Sequence, residues 1–132
     1  VTVKMTNFNT IIDDIFPLAD KTEYINALAS YQLLIIDDLG VERNSEYALG
    51  IIFSVIDRRI RSRRPLIITT NLPLKEIKSE TMLDKRRIYD RILEMCTPMY
   101  VGGTSKREAI ASMKMEKAKT LLNTNRGEEK CE

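Results

Sequence analysis

Leu33-Leu34-Ile35-Ile36-Asp37-Asp38-Leu39-Gly40 is a run of four apolar residues that ends in two carboxylates and a glycine. An apolar run without polar alternation predicts a strand buried on both faces of a parallel sheet. On its N-terminal side, Asp20-Lys21-Thr22-Glu23 sets a capping carboxylate three residues before an acid, which predicts a helix through Tyr24, Ile25, Leu28 and Ala29. Earlier still, Ile11, Ile12, Ile15 and Phe16 recur at helical spacing until Pro17, and residues 1 to 5 alternate as a short strand does. On its C-terminal side, Asn44 or Ser45 caps a long helix. Its apolar pairs Tyr47/Ala48, Ile51/Ile52 and Val55/Ile56, then Ile60, repeat every four residues, and Pro65 stops it. Residues 65 to 71 form a second buried strand with a polar end. Strand, helix and strand in this order predict an α/β fold with a parallel sheet and right-handed crossovers.

Beyond Pro73 the reading continues with Asp84 as the cap of a third long helix that carries Ile88, Ile92 and Met95. Thr97-Pro98-Met99-Tyr100-Val101 is expected to be a last strand, turning at Gly102-Gly103. Residues 105 to 122 are expected to form an amphipathic helix with Ile110, Met113, Leu121 and Leu122 as contacts, and the polar tail after Asn123 to fray.

With 132 residues, 43% of them hydrophobic and 30% charged, the chain has the composition of one soluble globular domain that folds around a core. A net charge of +2 gives no global basic field, so any nucleic-acid surface must be local. The absence of histidine excludes Ser-His-Asp and Cys-His nucleophilic sites, His-rich zinc sites and a histidine pH switch. Cys96 and Cys131 lack CxxC spacing and no secretory signal accompanies them, which favours reduced thiols in the cytoplasm over a disulfide framework. No apolar run approaches the ~20 residues that span a bilayer, so no membrane partner is expected. The first residue is Val1 and the opening strand reads as already in progress, so the sequence is expected to begin inside a larger protein.

In open parallel sheets ligands bind beyond the carboxyl ends of the strands. One strand here ends in Asp37-Asp38 and the other in Thr70-Asn71. A buried apolar run leading into an acidic pair is the Walker B pattern of nucleotide hydrolases, whose acids serve a magnesium ion and the attacking water. The competing reading is a strand-ending turn. By the same token, Asn71 before Leu72-Pro73 reads as a turn former, Arg87 and Arg91 as a solvated helix stripe partnered by Asp90 or Glu94, and Arg107 as a helix-start cation.

The blocks LLIIDDLGVERNSEYALGIIFSVIDRR, PLIITTNLPL, RIYDRILEMC and VGGTSKR, in that order, closely resemble the DnaC/DnaI type of bacterial helicase loader. This is a clade of AAA+ ATPases that includes IstB-type transposition helpers, and the resemblance covers residues 1 to about 107. It implies a P-loop NTPase fold with three layers. Residues 1-104 would be a partial AAA+ core and residues 105-132 a C-terminal helix with its tail. It implies ATP and Mg²⁺ as cofactors, Asp37 as the acid that orients Mg²⁺ through water, and Asp38 at the catalytic-base position, where many relatives carry Glu. Asn71 would be the sensor 1 residue, Arg91 the arginine finger and Arg107 the sensor 2 arginine. The implied partners are a replicative helicase, single-stranded DNA and further copies of the protein, in a bacterial or phage-encoded primosome.

The cluster Arg58-Arg59-Arg61-Arg63-Arg64 ends the long helix. Arg58, Arg61 and Arg63 are the candidates for contact with a DNA backbone, against the alternative that a helix C-terminus attracts cations through its dipole. The five tyrosines are scattered and form no stacking platform for single strands. The pattern G-x-x-x-x-G-K-[ST] does not occur in these 132 residues. In the resembling family that loop follows a central strand between those that here are residues 65 to 70 and 98 to 101. Without it, backbone is expected to be left unpaired, and this stretch alone to bind nucleotide weakly. Three other readings stand beside the loader: a transposase helper ATPase, a non-hydrolysing interaction module and a metal nuclease built on Asp37-Asp38, for which no third acidic ligand is found.

Overall fold

The structure is a computed structural model that describes residues 1–128. It divides into two compact units, Val1–Pro98 and the residues from Met99 onward.

The first unit is a parallel sheet of three strands in the order β1 (Val3–Asn7), β2 (Leu33–Leu39), β3 (Leu66–Thr70). The helices α1 (Phe8–Ile15) and α2 (Lys21–Ser30) connect the first pair of strands, and α3 (Glu46–Ser62) connects the second. Both crossovers step in the same direction across the sheet, so with one handedness their helices fall on the same face. The expected strand, helix and strand order is therefore present. Each start has a local cause: Asn7, Asp20 and Ser45 side chains accept from the backbone N–H of Thr10, Glu23 and Ala48. Ser45, not Asn44, is thus the cap of α3. Its end is fixed by Arg63, which takes a left-handed conformation at φ 52° ahead of Pro65.

The core lies between the sheet and its helical layer. Leu34 and Ile36 of β2 meet Phe8, Ile11, Ile15, Ile52, Val55 and Ile56, and α5 (Leu83–Met95) adds Ile88, Tyr89 and Ile92. The other sheet face is open. Val3, Met5 and Ile67 are 50%, 62% and 49% exposed there. Leu33 and Ile35 are only partly covered. The expectation that β2 is buried on both faces is corrected: among the described residues of this unit, the sheet and one helical layer supply two of the three layers. An apolar run cannot reveal whether its second face has a partner.

Three further expectations change. Asp84 does not cap α5. Met82 occupies that position, and the Glu80 carboxylate accepts from the N–H groups of Thr81 and Met82, leaving Asp84 in the first turn. A short helix, α4 (Leu74–Lys78), intervenes after Pro73. Residues 97 to 101 are not a strand: Met99, Tyr100 and Val101 are 86–94% exposed. A strand needs a paired neighbour for its backbone, and among the described residues the outer edge of β3 has none.

The second unit is α6 (Lys106–Glu128), which continues past Asn123, where a frayed tail is expected. Ile110, Met113, Leu121 and Leu122 are exposed, and its apolar residues do not gather on one face. Cys96 is a free cysteine whose thiol burial pushes up from its ordinary pKa. Cys131 lies outside the described residues. No helix among the described residues is long and apolar enough to cross a membrane.

Candidate functional site

The carboxyl ends of β2 and β3 meet in an irregular pairing. Ile36 pairs with Ile68 and Leu39 with Thr70, so Asp37 and Asp38 together stand opposite Thr69 alone. The extra residue is a β-bulge, and it resets the alternation of the strand: Leu34, Ile36 and then Leu39 are buried, where strict alternation would bury Asp38. Asp38 takes a left-handed backbone conformation at φ 58° and is exposed, while Asp37 is partly covered. Aspartate tolerates this region better than a β-branched residue does. The bulge thus leaves Asp37 on the face of Leu33 and Ile35 and turns Asp38 outward beside it at the carboxyl end of the sheet.

Thr69 holds this geometry. Its hydroxyl donates to Asp37 Oδ1 and accepts from the Asp38 N–H at 3.0 Å. Thr70 does the same one residue on, donating to the Leu39 carbonyl at 2.6 Å and accepting from the Leu72 N–H at 3.0 Å. Gly40 follows with φ 106°, and a Cβ there would lie 2.6 Å from Leu72 Cδ1, so the turn requires glycine. The loop after Gly40 is fastened to α1. Asn9 donates to the Val41 carbonyl at 3.3 Å and accepts from the Arg43 N–H at 3.3 Å, and Arg43 pairs with Asp13 at 3.2 Å.

Asn71 lies exposed just beyond the Leu39–Thr70 pairing, at the same end of the sheet as Asp37 and Asp38. Those three residues are brought together. Two carboxylates and an amide at the exit of a parallel sheet supply oxygen donors of the kind that magnesium prefers. The phosphate cradle is another matter, since no glycine-rich loop of the required spacing occurs in the sequence. The residues present fit the metal side of a nucleotide site and leave its backbone nest to other residues.

Arg91 is elsewhere. It lies on α5 with Nη2 3.0 Å from Asp57 Oδ1 and Nη1 3.1 Å from Glu94 Oε2. Asp57 is eleven residues along α3 from Glu46, about 16 Å at about 1.5 Å per residue. Since α3 runs from the carboxyl end of β2 back to the start of β3, Arg91 stands toward the opposite end of the sheet from its own Asp37 and Asp38. Arg87 sits over the Phe53 ring at 4.7 Å rather than pairing with Asp90 or Glu94 as in a solvated stripe. Arg107 lies exposed in the first turn of α6, in the second unit.

The arginine cluster at the end of α3 is divided by burial. Arg59 is 0% exposed, and its guanidinium donates to the carbonyls of Ala29 at 3.0 Å, Tyr31 at 2.7 Å, Gln32 at 3.3 Å, and Pro65. Desolvation, and then the charge of Arg64, lower its pKa from the ordinary value. Arg64 donates to the Ser30 carbonyl, and Arg61 Nε pairs with Asp57 Oδ2 at 2.8 Å. Arg58 and Arg63 are exposed. Sequence reasoning passed over Thr69, Asp57 and Arg59. For Thr69 a signal existed, because two adjacent parallel strands that both end in polar residues bring those residues together.

Comparison with known proteins bears on the fold and the family. The family model described as IstB-like ATP binding protein matches residues 19–114. The replicative helicase loader DnaC of Escherichia coli K12 is 37% identical over 72 residues, covering 54% of this chain and 28% of that protein. The replicative helicase loader DnaC of Buchnera aphidicola from Acyrthosiphon pisum is 36% identical over 67 residues, covering 48% of this chain and 27% of that protein. The chain thus spans less than a third of the length of the curated relatives that it matches. Among solved structures, DnaI superposes with a TM-score of 0.63 at 18% identity over 79% of this chain and 56% of that one. AMPPCP-bound DnaA from Aquifex aeolicus superposes with a TM-score of 0.60 at 13% identity over 98% of this chain and 50% of that one. Sheet order, bulged acidic strand end and a family match over residues 19–114 converge: this chain has the P-loop AAA+ fold and belongs to the IstB-like ATP-binding proteins.

Proposed function

We propose that this chain is the catalytic-acid part of an ATPase that loads the replicative helicase onto single-stranded DNA, with each ATP site completed by a neighbouring copy. The observation that carries the reading is the bulged end of β2, which presents Asp37 and Asp38 beside Asn71. ATP·Mg²⁺, when bound, supplies the phosphoryl group and the charge that the metal neutralises. Asp37, held by the Thr69 hydroxyl, is the acid for the metal side. Asp38, exposed on the bulge, takes the proton of the attacking water. Asn71 orients that water or the terminal phosphate by a hydrogen bond, and Arg107 matches the sensor 2 arginine by its resemblance to the loader sequences.

Arg91 is proposed as the arginine finger that acts in trans. Its ion pair with Asp57 near the far end of α3 supports this, since an arginine anchored there does not reach its own strand end. The curated relatives named replicative helicase loader support a helicase as partner. The IstB-like family match also keeps a transposase helper in view, and the two differ in partner rather than in site chemistry.

The test is complementation in the full-length protein. Arg91→Ala and Asp38→Asn should each bind ATP and hydrolyse it poorly, and mixing the two should restore hydrolysis by pairing an intact acid with an intact finger. Fingers contribute on the order of 10³ to 10⁵ in rate. Failure to complement in oligomers shown to exchange subunits would remove Arg91 from the trans role.

A further inference from the structure

Asp57 is an unusual residue for the place it occupies. Its side chain is 18% exposed, between the core residues Ile56 and Val55 on one side and the buried Arg59 on the other in sequence. Its two oxygens are divided between two arginines on different helices: Oδ2 takes Arg61 Nε at 2.8 Å within α3, and Oδ1 faces Arg91 Nη2 at 3.0 Å on α5. Oδ1 is buried and makes no aligned hydrogen bond, so it meets Arg91 as charge against charge.

Stability alone does not account for this. Its arginine partners are 71% and 35% exposed, so solvent screens both contacts and ion pairs of this kind contribute little to stability. What an ion pair adds is a fixed location for a long cationic side chain. Arginine has many rotamers, and Asp57 at Nη2 on α3, with Glu94 at Nη1 on α5 itself, removes most of them before any substrate arrives; only the Asp57 contact ties Arg91 to a second helix. Arg61 completes the device, because it ties the second oxygen and keeps the carboxylate from swinging. Arg91 itself stays 35% exposed, so part of it remains reachable from outside the chain.

We propose that Asp57 is a positioning residue for Arg91: it holds the guanidinium beside α3 in the orientation in which its exposed part meets a neighbour's transferring phosphoryl group. This rests on the reading of Arg91 as a trans-acting finger, and it assigns Asp57 no contact with nucleotide.

Mixed oligomers of the full-length protein separate the two ideas. The first mixture, Arg91→Ala with Asp38→Asn, measures the trans reading alone. In the second, the finger donor carries Asp57→Asn in addition to Asp38→Asn and is mixed with Arg91→Ala. In the third, the site donor carries Asp57→Asn in addition to Arg91→Ala and is mixed with Asp38→Asn. The second mixture should lose about ten-fold or more of the recovered hydrolysis, since a misplacement of about 1 Å costs up to about 10² in rate. The third should recover as the first does. Equal losses in the second and third mixtures would make Asp57 a residue of the fold and overturn the proposal. So would full recovery in the second, or a rise there, which would mean that the ion pair restrains Arg91 instead of aiming it. No recovery in the first mixture overturns the trans reading, and Asp57 with it.

Discussion

Thr69 reaches from β3 to the bulge of β2 and donates its hydroxyl to Asp37, while the same oxygen accepts from the N–H of Asp38 at 3.0 Å. One hydroxyl therefore fixes a carboxylate and the backbone that carries its neighbour. Thr69→Val keeps the shape and removes the hydroxyl, leaving an N–H without its partner at a partly exposed site. The expected loss is about 1 kcal/mol of stability by urea denaturation. In the full-length protein a higher Mg²⁺ requirement for hydrolysis should accompany it. Thr69→Ser should recover both, because it keeps the bridging oxygen.

Asp38→Asn should leave the bulge intact. Asparagine tolerates the left-handed region about as well as aspartate does, and φ at Asp38 is 58°. ATP binding by the full-length protein should persist while hydrolysis is suppressed, whereas Asp37→Asn should also weaken the Mg²⁺ dependence. Hydrolysis by Asp38→Asn at the parental rate would remove it as the base.

Arg59→Met should be the most destabilising change in the arginine cluster. The guanidinium is buried and joins carbonyls before β2 to the carbonyl before β3; removing it takes the side-chain donor from Ala29, Tyr31 and Gln32, while the Pro65 carbonyl keeps the Leu34 N–H. Each buried acceptor left unsatisfied costs about 1–3 kcal/mol. Arg58→Ser and Arg63→Ser, both at exposed positions, should change the urea midpoint little.

Contact with single-stranded DNA can be read from salt dependence. Replacing Arg58, Arg61 and Arg63 by Ser together should lower affinity and flatten the log-log slope by about 0.7 for each phosphate contact removed. Because Arg61 is engaged with Asp57, Arg58 and Arg63 should account for most of the change. An unchanged slope would leave the cluster as a helix-end device.

Tyr24 gives a pH dependence. Burial, then the charge and hydrogen bond of Asp14, raise its pKa to about 12 from an ordinary 10.0. The raised value means that the folded state keeps the phenol protonated while the unfolded state ionises first. Stability should therefore fall as pH rises from 10.0 to about 12. Tyr24→Phe should remove that part of the fall in thermal melts across the window.

The sequence by itself determined the three strands of the sheet, the long helices and the end of the sheet at which the polar residues gather. Apolar periodicity, caps such as Asp20 and Ser45, and the stop at Pro65 are local signals, and the local backbone obeys them. It also brought Asp37, Asp38 and Asn71 to one sheet end, because parallel strands that end in polar residues must expose them together. Only the tertiary structure decided how those acids leave the sheet, since the bulge opposite Thr69 depends on the register between two strands. Helical phase already sets Arg59, four residues after Val55, on the core face and Arg58 off it, but that the guanidinium meets four carbonyls from two separate segments is decided by the tertiary packing alone. The pairing of Asp57 with Arg91 lies further still from the sequence. It joins residues thirty-four apart through the packing of α3 on α5, and no local pattern carries that distance. The supposed strand at residues 97 to 101 fails for the same reason, because a strand exists only where a neighbour pairs with it, and pairing is a property of the assembled sheet.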